Sequence, residues 1–238
     1  MKTPSDSCAR ILQRVHAATQ KTENPGDLAS TYSSLPRTYV RAGRLSAAER
    51  IALMIERLRE YDADVVETTP DKLDAAIAAQ MKASGRHVFV AAEGLPATWM
   101  TDGFEWKIDR NLSAAEIETC EGVVTGSFGG IADSGTIVLH HTAREGRRIV
   151  SLLPDWHLCI LYASRIVETL PEYFARCEQP PVLATYISGP SATADIEMTR
   201  IKGVHGPRFL NVIVVNDLDA ELNTRQPSEE EISQGKSV

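Results

Sequence analysis

A three-layer α/β fold around a largely parallel, buried sheet is predicted by three features of this 238-residue chain. Short apolar runs rich in β-branched and aromatic residues, among them HVFVA (87–91), HLCILY (157–162) and FLNVIVV (209–215), read as buried strands. Stretches of helical length carrying apolar residues at i, i+3 and i+4 alternate with them. Glycine and proline punctuate the changes from one to the other.

In order, residues 1–62 read as an N-terminal helical arm, 63–216 as the α/β domain, and 217–238 as a flexible acidic tail. The arm is helix-prone over 8–19, is broken at Asn24-Pro25-Gly26 and Leu35-Pro36, and resumes as a helix over 47–61. Ser46 and Glu49 form a capping-box pattern there, and Ile51, Met54, Ile55, Leu58 and Tyr61 line one face. A short strand over 64–67 precedes Thr69-Pro70, which opens a second helix running to Gly85. Strand 87–91 stops at Glu93-Gly94. Ser113 and Glu116 repeat the capping box before a helix ending near Gly122.

Residues 123–140 read as strand, glycine-rich turn, small helical element and strand. Residues 147–153 are expected to form a strand paired to 137–140, and 157–162 another. A helix is expected over 165–177, ended by Pro180-Pro181, then a strand over 182–187. Residues 187–207, ISGPSATADIEMTRIKGVHGP, then read as a loop and short helix delivering the chain into strand 209–215.

Composition excludes several classes of function. A formal net charge of −7, about −4 of it after residue 216, argues against nucleic acid as main partner. No apolar run approaches the roughly 18–20 residues of a membrane span, and the first residues lack a signal peptide's apolar region, so the expected location is cytoplasmic. Cys8, Cys120, Cys159 and Cys177 are too scattered for an iron–sulfur cluster or structural zinc; they are expected to be reduced and buried.

Ligands of open α/β sheets sit beyond the carboxyl ends of strands, which directs attention to 93–94, 125–136, 155–157 and 188–195, expected to converge on one crevice. Glu93, Asp133 and His205 are the candidate catalytic residues. The candidate ligand-binding residues are Gly126, Ser134, Gly135, Thr136, His157, Ser188, Gly189, Pro190, Ser191, Thr193, Asp195 and Gly206. Small residues, hydroxyls and free backbone N–H groups at 188–195 suit a carboxylate or phosphate if a helix starts near Thr193; Ser191 or Thr193 acting only as a helix cap explains the same residues. Asp133 before Ser134-Gly135 suits a base, a nucleophile or a turn former, the turn being the commoner outcome because Asp before Ser-Gly stabilises turns locally. His157 and His205 offer imidazoles that titrate near neutral pH, or plain hydrogen-bonding groups. His140 and His141, adjacent on a strand, point to opposite faces and do not share a metal.

GGIADSGTIVL (129–139), RIVSLLPDWHLCIL (148–161), SRIVETL (164–170) and ISGPSATADIE with GVHGP (187–207) resemble the lactate utilization protein C family and its LUD domain. The resemblance implies a fold similar to the NagB, ribose-5-phosphate isomerase and CoA-transferase group. It also implies a non-redox, anion-binding subunit of an L-lactate-oxidising system, with no cofactor of its own and iron–sulfur clusters in partner proteins. The chain would then belong to a multi-subunit L-lactate dehydrogenase or oxidase complex. Family members often carry Glu-Thr-Gly where this chain has Asp133-Ser134-Gly135. The shorter carboxylate falls about 1 Å from the longer one's place, a displacement covalent catalysis tolerates poorly. The alternatives are a free-standing enzyme acting on an acyl-CoA or phosphorylated small molecule through Glu93 or Asp133, and an adaptor with a vestigial pocket. A homo-oligomer is compatible with each.

Overall fold

The computed structural model describes residues 4–19, 28–179, 181–194, 200–203 and 205–218. The chain forms two compact units, Met1–Tyr39 and Val40–Val238. The first contains helices α1 (Pro4–Thr19) and α2 (Leu28–Ser34). Cys8 is exposed there, contrary to the expectation of buried cysteines, whereas Cys120 and Cys159 are buried and Cys177 is half-buried.

The second unit begins with α3 (Ala47–Glu60), capped as its sequence dictates. The Glu49 N–H donates to Ser46 Oγ at 3.3 Å and the Ser46 N–H donates to Glu49 Oε2 at 2.8 Å. After β1 (Asp64–Thr68), a 3-10 turn at Pro70–Lys72 leads into α4 (Leu73–Ser84), which Gly85 ends in the left-handed conformation at φ 68°. The parallel core continues with β2 (Val88–Ala92), β3 (Glu105–Asp109), α5 (Ala114–Glu118) and β4 (Gly122–Thr125). A smaller sheet uses β5 (Gly129–Ile131) and β6 (Thr136–Leu139). The chain then forms β7 (Trp156–Tyr162), β8 (Ile166–Val167), α6 (Leu170–Arg176), β9 (Thr185–Ile187), β10 (Ala192–Ala194), β11 (Arg200–Lys202) and β12 (Phe209–Val215).

Six strands make the central sheet in the order β1-β12-β7-β4-β2-β3, every neighbouring pair parallel. Leu158, Ile160, Ile213 and Val215 bury one face against Leu73, Ile77 and Met81 of α4 and against Trp99. Cys159, Leu161, Val212 and Val214 bury the other against Met54, Ile55 and Leu58 of α3 and against Ile137 and Leu139 of the small sheet. That small sheet, ordered β8-β5-β6-β9, is covered on its far side by Tyr173 of α6. The expected α/β architecture with flanking helices is the one observed. Among the described residues no helix is long and apolar enough to cross a membrane.

Several element assignments differ from the sequence reading. Residues 147–153 form turns, with Val150 N–H bonded to Arg147 O and Leu153 N–H to Ile149 O, so β9 takes the place beside β6. The cause is tertiary anchoring: Arg147 grips Asp109 through Nε at 2.8 Å, and Val150 sinks into a cluster with Val90, Ile117 and Val123. The helix expected over 165–177 starts only at Leu170, because Thr169 caps it and 166–167 pair with β5. The small helical element after Gly126 is the strand β5. The hairpin β10–β11 stands where a helix was expected near Thr193. The strand β3 had no clear apolar pattern to announce it, since its outer positions are Glu105 and Lys107. The acidic tail from residue 219 lies outside the described residues.

Candidate functional site

All central strands run the same way, so their amino ends line one edge of the sheet and their carboxyl ends the other. The four loop segments expected to meet in one crevice are divided between these edges. Residues 188–191 and 205–207 meet at the amino edge beside His157 and Leu210, each the second residue of its strand. Gly126 lies at the carboxyl edge, after β4. Glu93 occupies a third hollow, where it is exposed and ion-paired with Arg110 at 3.3 Å. Asp133 and Ser134 are exposed. Their turn packs on α3, since a Cβ at Gly135, whose φ is 58°, would stand 2.6 Å from that of Arg57. A hydroxyl chain, Ser134 Oγ to Thr136 Oγ1 to Ser188 Oγ at 2.7 Å each, ties the turn to the amino-edge loop without placing Asp133 in its cavity. Thr193 is placed in β10 by its backbone, and Asp195 lies outside the described residues.

The amino-edge cavity has a volume of about 180 Å³. Ser191 closes the two halves of its motif on each other: its N–H donates to Pro207 O at 2.8 Å, its carbonyl accepts from Gly203 N at 2.9 Å, and its Oγ accepts from His205 N at 3.1 Å. Gly189, with φ 99°, lets the loop turn against α3's end, where a Cβ would come within 2.6 Å of Tyr61 Cβ. Arg148 and Ser151, neither singled out from the sequence, form part of the wall. Arg148 donates to Thr185 Oγ1 at 2.6 Å and has no carboxylate partner among the described residues.

His157 forms the floor and is 1% exposed. Burial pushes its pKa down to about 4, so the ring is neutral near pH 7. Its Nε2 lies 2.7 Å from Thr125 Oγ1, which donates to Cys159 Sγ at 3.8 Å, and Cys159 donates in turn to Gly126 O at 3.7 Å. Burial pushes that thiol up to about 12, so it keeps its proton. With Cys159 donating to the carbonyl and Thr125 to the sulfur, the arrangement that gives every member of the chain a partner has His157 Nε2–H donating to Thr125. Nδ1 is left as a bare acceptor. Among the described residues Arg50 Nε is the fully buried side-chain polar atom without a partner. His157 lines the cavity, and no partner of its Nδ1 occurs among the described residues. The site thus offers an acceptor at its floor, a guanidinium at its wall and hydroxyls at its rim. That set fits a carboxylate carrying a hydroxyl group.

His140 and His141 were expected on a strand but follow the end of β6 at Leu139, His141 at φ 56°, and they bond different partners. His140 Nε2 meets Tyr173 Oη at 2.8 Å, whereas His141 bonds Gly146 O and Thr185 Oγ1 at 2.9 and 2.7 Å. No group of three side chains suited to hold a metal occurs among the described residues.

The profile of the LUD domain family matches residues 39–215. Lactate utilization protein C of Deinococcus radiodurans is 41% identical over 175 residues, which cover 72% of this chain and 82% of that protein. Its namesake from Bacillus velezensis is 36% identical over 130 residues, half of this chain (50%) and 54% of that protein. A crystal structure of a DUF162 family protein from Deinococcus radiodurans superposes with a TM-score of 0.60 at 35% identity, covering 73% of this chain and 100% of that one.

Proposed function

The chain belongs to the LUD domain family, and on that premise we propose that it is a non-redox subunit of an L-lactate utilization system. In this reading the amino-edge cavity holds a small 2-hydroxy acid. Iron–sulfur partner proteins take the electrons as lactate becomes pyruvate. The names of the relatives support a role in lactate utilization. The observation that carries the ligand is the neutral, buried His157, which lines the same 180 Å³ cavity as Arg148. A carboxylate pairs with the guanidinium while the ligand's hydroxyl donates to Nδ1. A cluster needs closely spaced thiolates, and Cys8, Cys120, Cys159 and Cys177 are far apart in sequence, so the redox centre is assigned to the partners.

Titration calorimetry with L-lactate tests the cavity. Binding is expected in the wild type, with an affinity lower by about tenfold or more in Arg148→Gln, because a charge-assisted hydrogen bond is lost. Purification from native cells tests the assembly. A protein that brings down no iron–sulfur partner, from a strain that still grows on lactate when the gene is deleted, would defeat this reading.

A further inference from the structure

At the opposite edge of the sheet a larger cavity, of about 440 Å³, lies beyond the carboxyl ends of β4, β7 and β12. Its most unusual wall residue is Glu145, a carboxylate only 3% exposed. One oxygen, Oε2, is anchored by the His140 and Thr142 N–H groups at 2.6 and 3.1 Å. The other, Oε1, has no partner among the described residues. Glu145 is one of the residues that line the cavity. Leaving a carboxylate oxygen unpaired at such depth is costly, and a ligand that donates to it recovers that cost.

Arg144 and Arg165 line the same cavity, and neither guanidinium has a hydrogen-bond or ion-pair partner among the described residues. The nearby carboxylate of Asp217 is already engaged, accepting from Ser164 N at 2.9 Å and Ser164 Oγ at 2.6 Å. Two free guanidinium groups each present a fork that matches a carboxylate. The volume exceeds that of the amino-edge cavity more than twofold, by comparison of 440 with 180 Å³.

We infer that this carboxyl-edge cavity is a second binding site, for a dicarboxylate that bears a hydroxyl group. Arg144 and Arg165 take the two carboxylates, and Glu145 Oε1 accepts the hydroxyl. This site goes beyond the lactate reading and shares none of its residues, so either one stands if the other fails.

L-malate and succinate differ by one hydroxyl and serve as the probes, with inorganic phosphate as a third. Calorimetry on the full chain is expected to give tighter binding of malate than succinate by about tenfold, as for a hydrogen bond to a charged acceptor. Glu145→Gln keeps an oxygen for the two backbone N–H groups but turns an amide NH₂ to the cavity, so the preference for malate disappears. Arg144→Gln with Arg165→Gln, on exposed side chains, weakens both diacids at least about tenfold even if Glu145→Gln fails to fold. Equal affinities, no binding, or phosphate binding as tightly as malate would overturn the inference. So would undiminished affinity for both diacids in the double arginine variant, or a malate preference that vanishes in Arg148→Gln, which would place the ligand at the amino edge.

Discussion

His157 concentrates the chemistry of the amino-edge cavity in one ring, and its burial has a pH signature. The folded pKa of about 4 lies below the ordinary 6.5. Between those values the unfolded chain binds a proton that the folded chain refuses. Stability is therefore complete above about pH 6.5 and falls as the pH drops towards 4, by about 3 kcal/mol over the full interval. Urea unfolding at pH 7 and pH 4.5 measures the fall. His157→Gln should remove this part of it, and an unchanged pH dependence in the variant would mean that His157 is not the group responsible. Thr125→Val tests the ring's other nitrogen. Without the hydroxyl 2.7 Å away, Nε2–H is buried and unpaired, which should cost about 1–3 kcal/mol while apolar volume is conserved.

The elements that hold the cavity were legible where the sequence carries local chemistry. Ser46 with Glu49, and Ser113 with Glu116, announced α3 and α5 because a capping box satisfies its own backbone groups whatever surrounds it. The β10–β11 hairpin and the turns over 147–153 were not legible, because they are set by partners distant in sequence: Pro207 for Ser191, Asp109 for Arg147. The same reasoning makes Gly189 a matter of packing. Gly189→Ala puts a Cβ within 2.6 Å of Tyr61 Cβ at a φ of 99°, so the loop and the end of α3 must part. A loss of more than about 1 kcal/mol in thermal unfolding is expected, with weaker lactate binding. Ser191→Ala removes only the acceptor for His205 N–H and should cost about 1 kcal/mol, loosening residues 205–207 without disturbing α3.

Across the whole molecule, sequence reasoning found the parallel sheet and the motif of its amino edge but joined segments that the fold keeps apart. Glu93 and Gly126 follow strands whereas His157 and Pro207 lie at strand beginnings, and only the strand order shows that these are opposite edges. Arg148 and Glu145 escaped notice because an arginine in a turn and a glutamate between arginine and glycine carry no local sign of lining a cavity. What connects the edges is the chain of donors from His157 through Thr125 and Cys159 to Gly126 O. Its polarity is set at the sulfur. In Cys159→Val the Thr125 hydroxyl loses that acceptor and turns to donate to His157 Nε2, which moves the ring proton to Nδ1. The cavity floor then changes from acceptor to donor. A hydroxyl prefers the first and a carbonyl oxygen the second, so the variant should shift preference from L-lactate towards pyruvate by about tenfold, the scale of one buried hydrogen bond exchanged for a mismatch. Calorimetry with both acids reads the ratio, and the ¹⁵N shifts of the ring nitrogens read the tautomer. A ratio that stays put while the tautomer switches would show that ligands do not contact Nδ1; a tautomer that stays put would show that the sulfur does not set it.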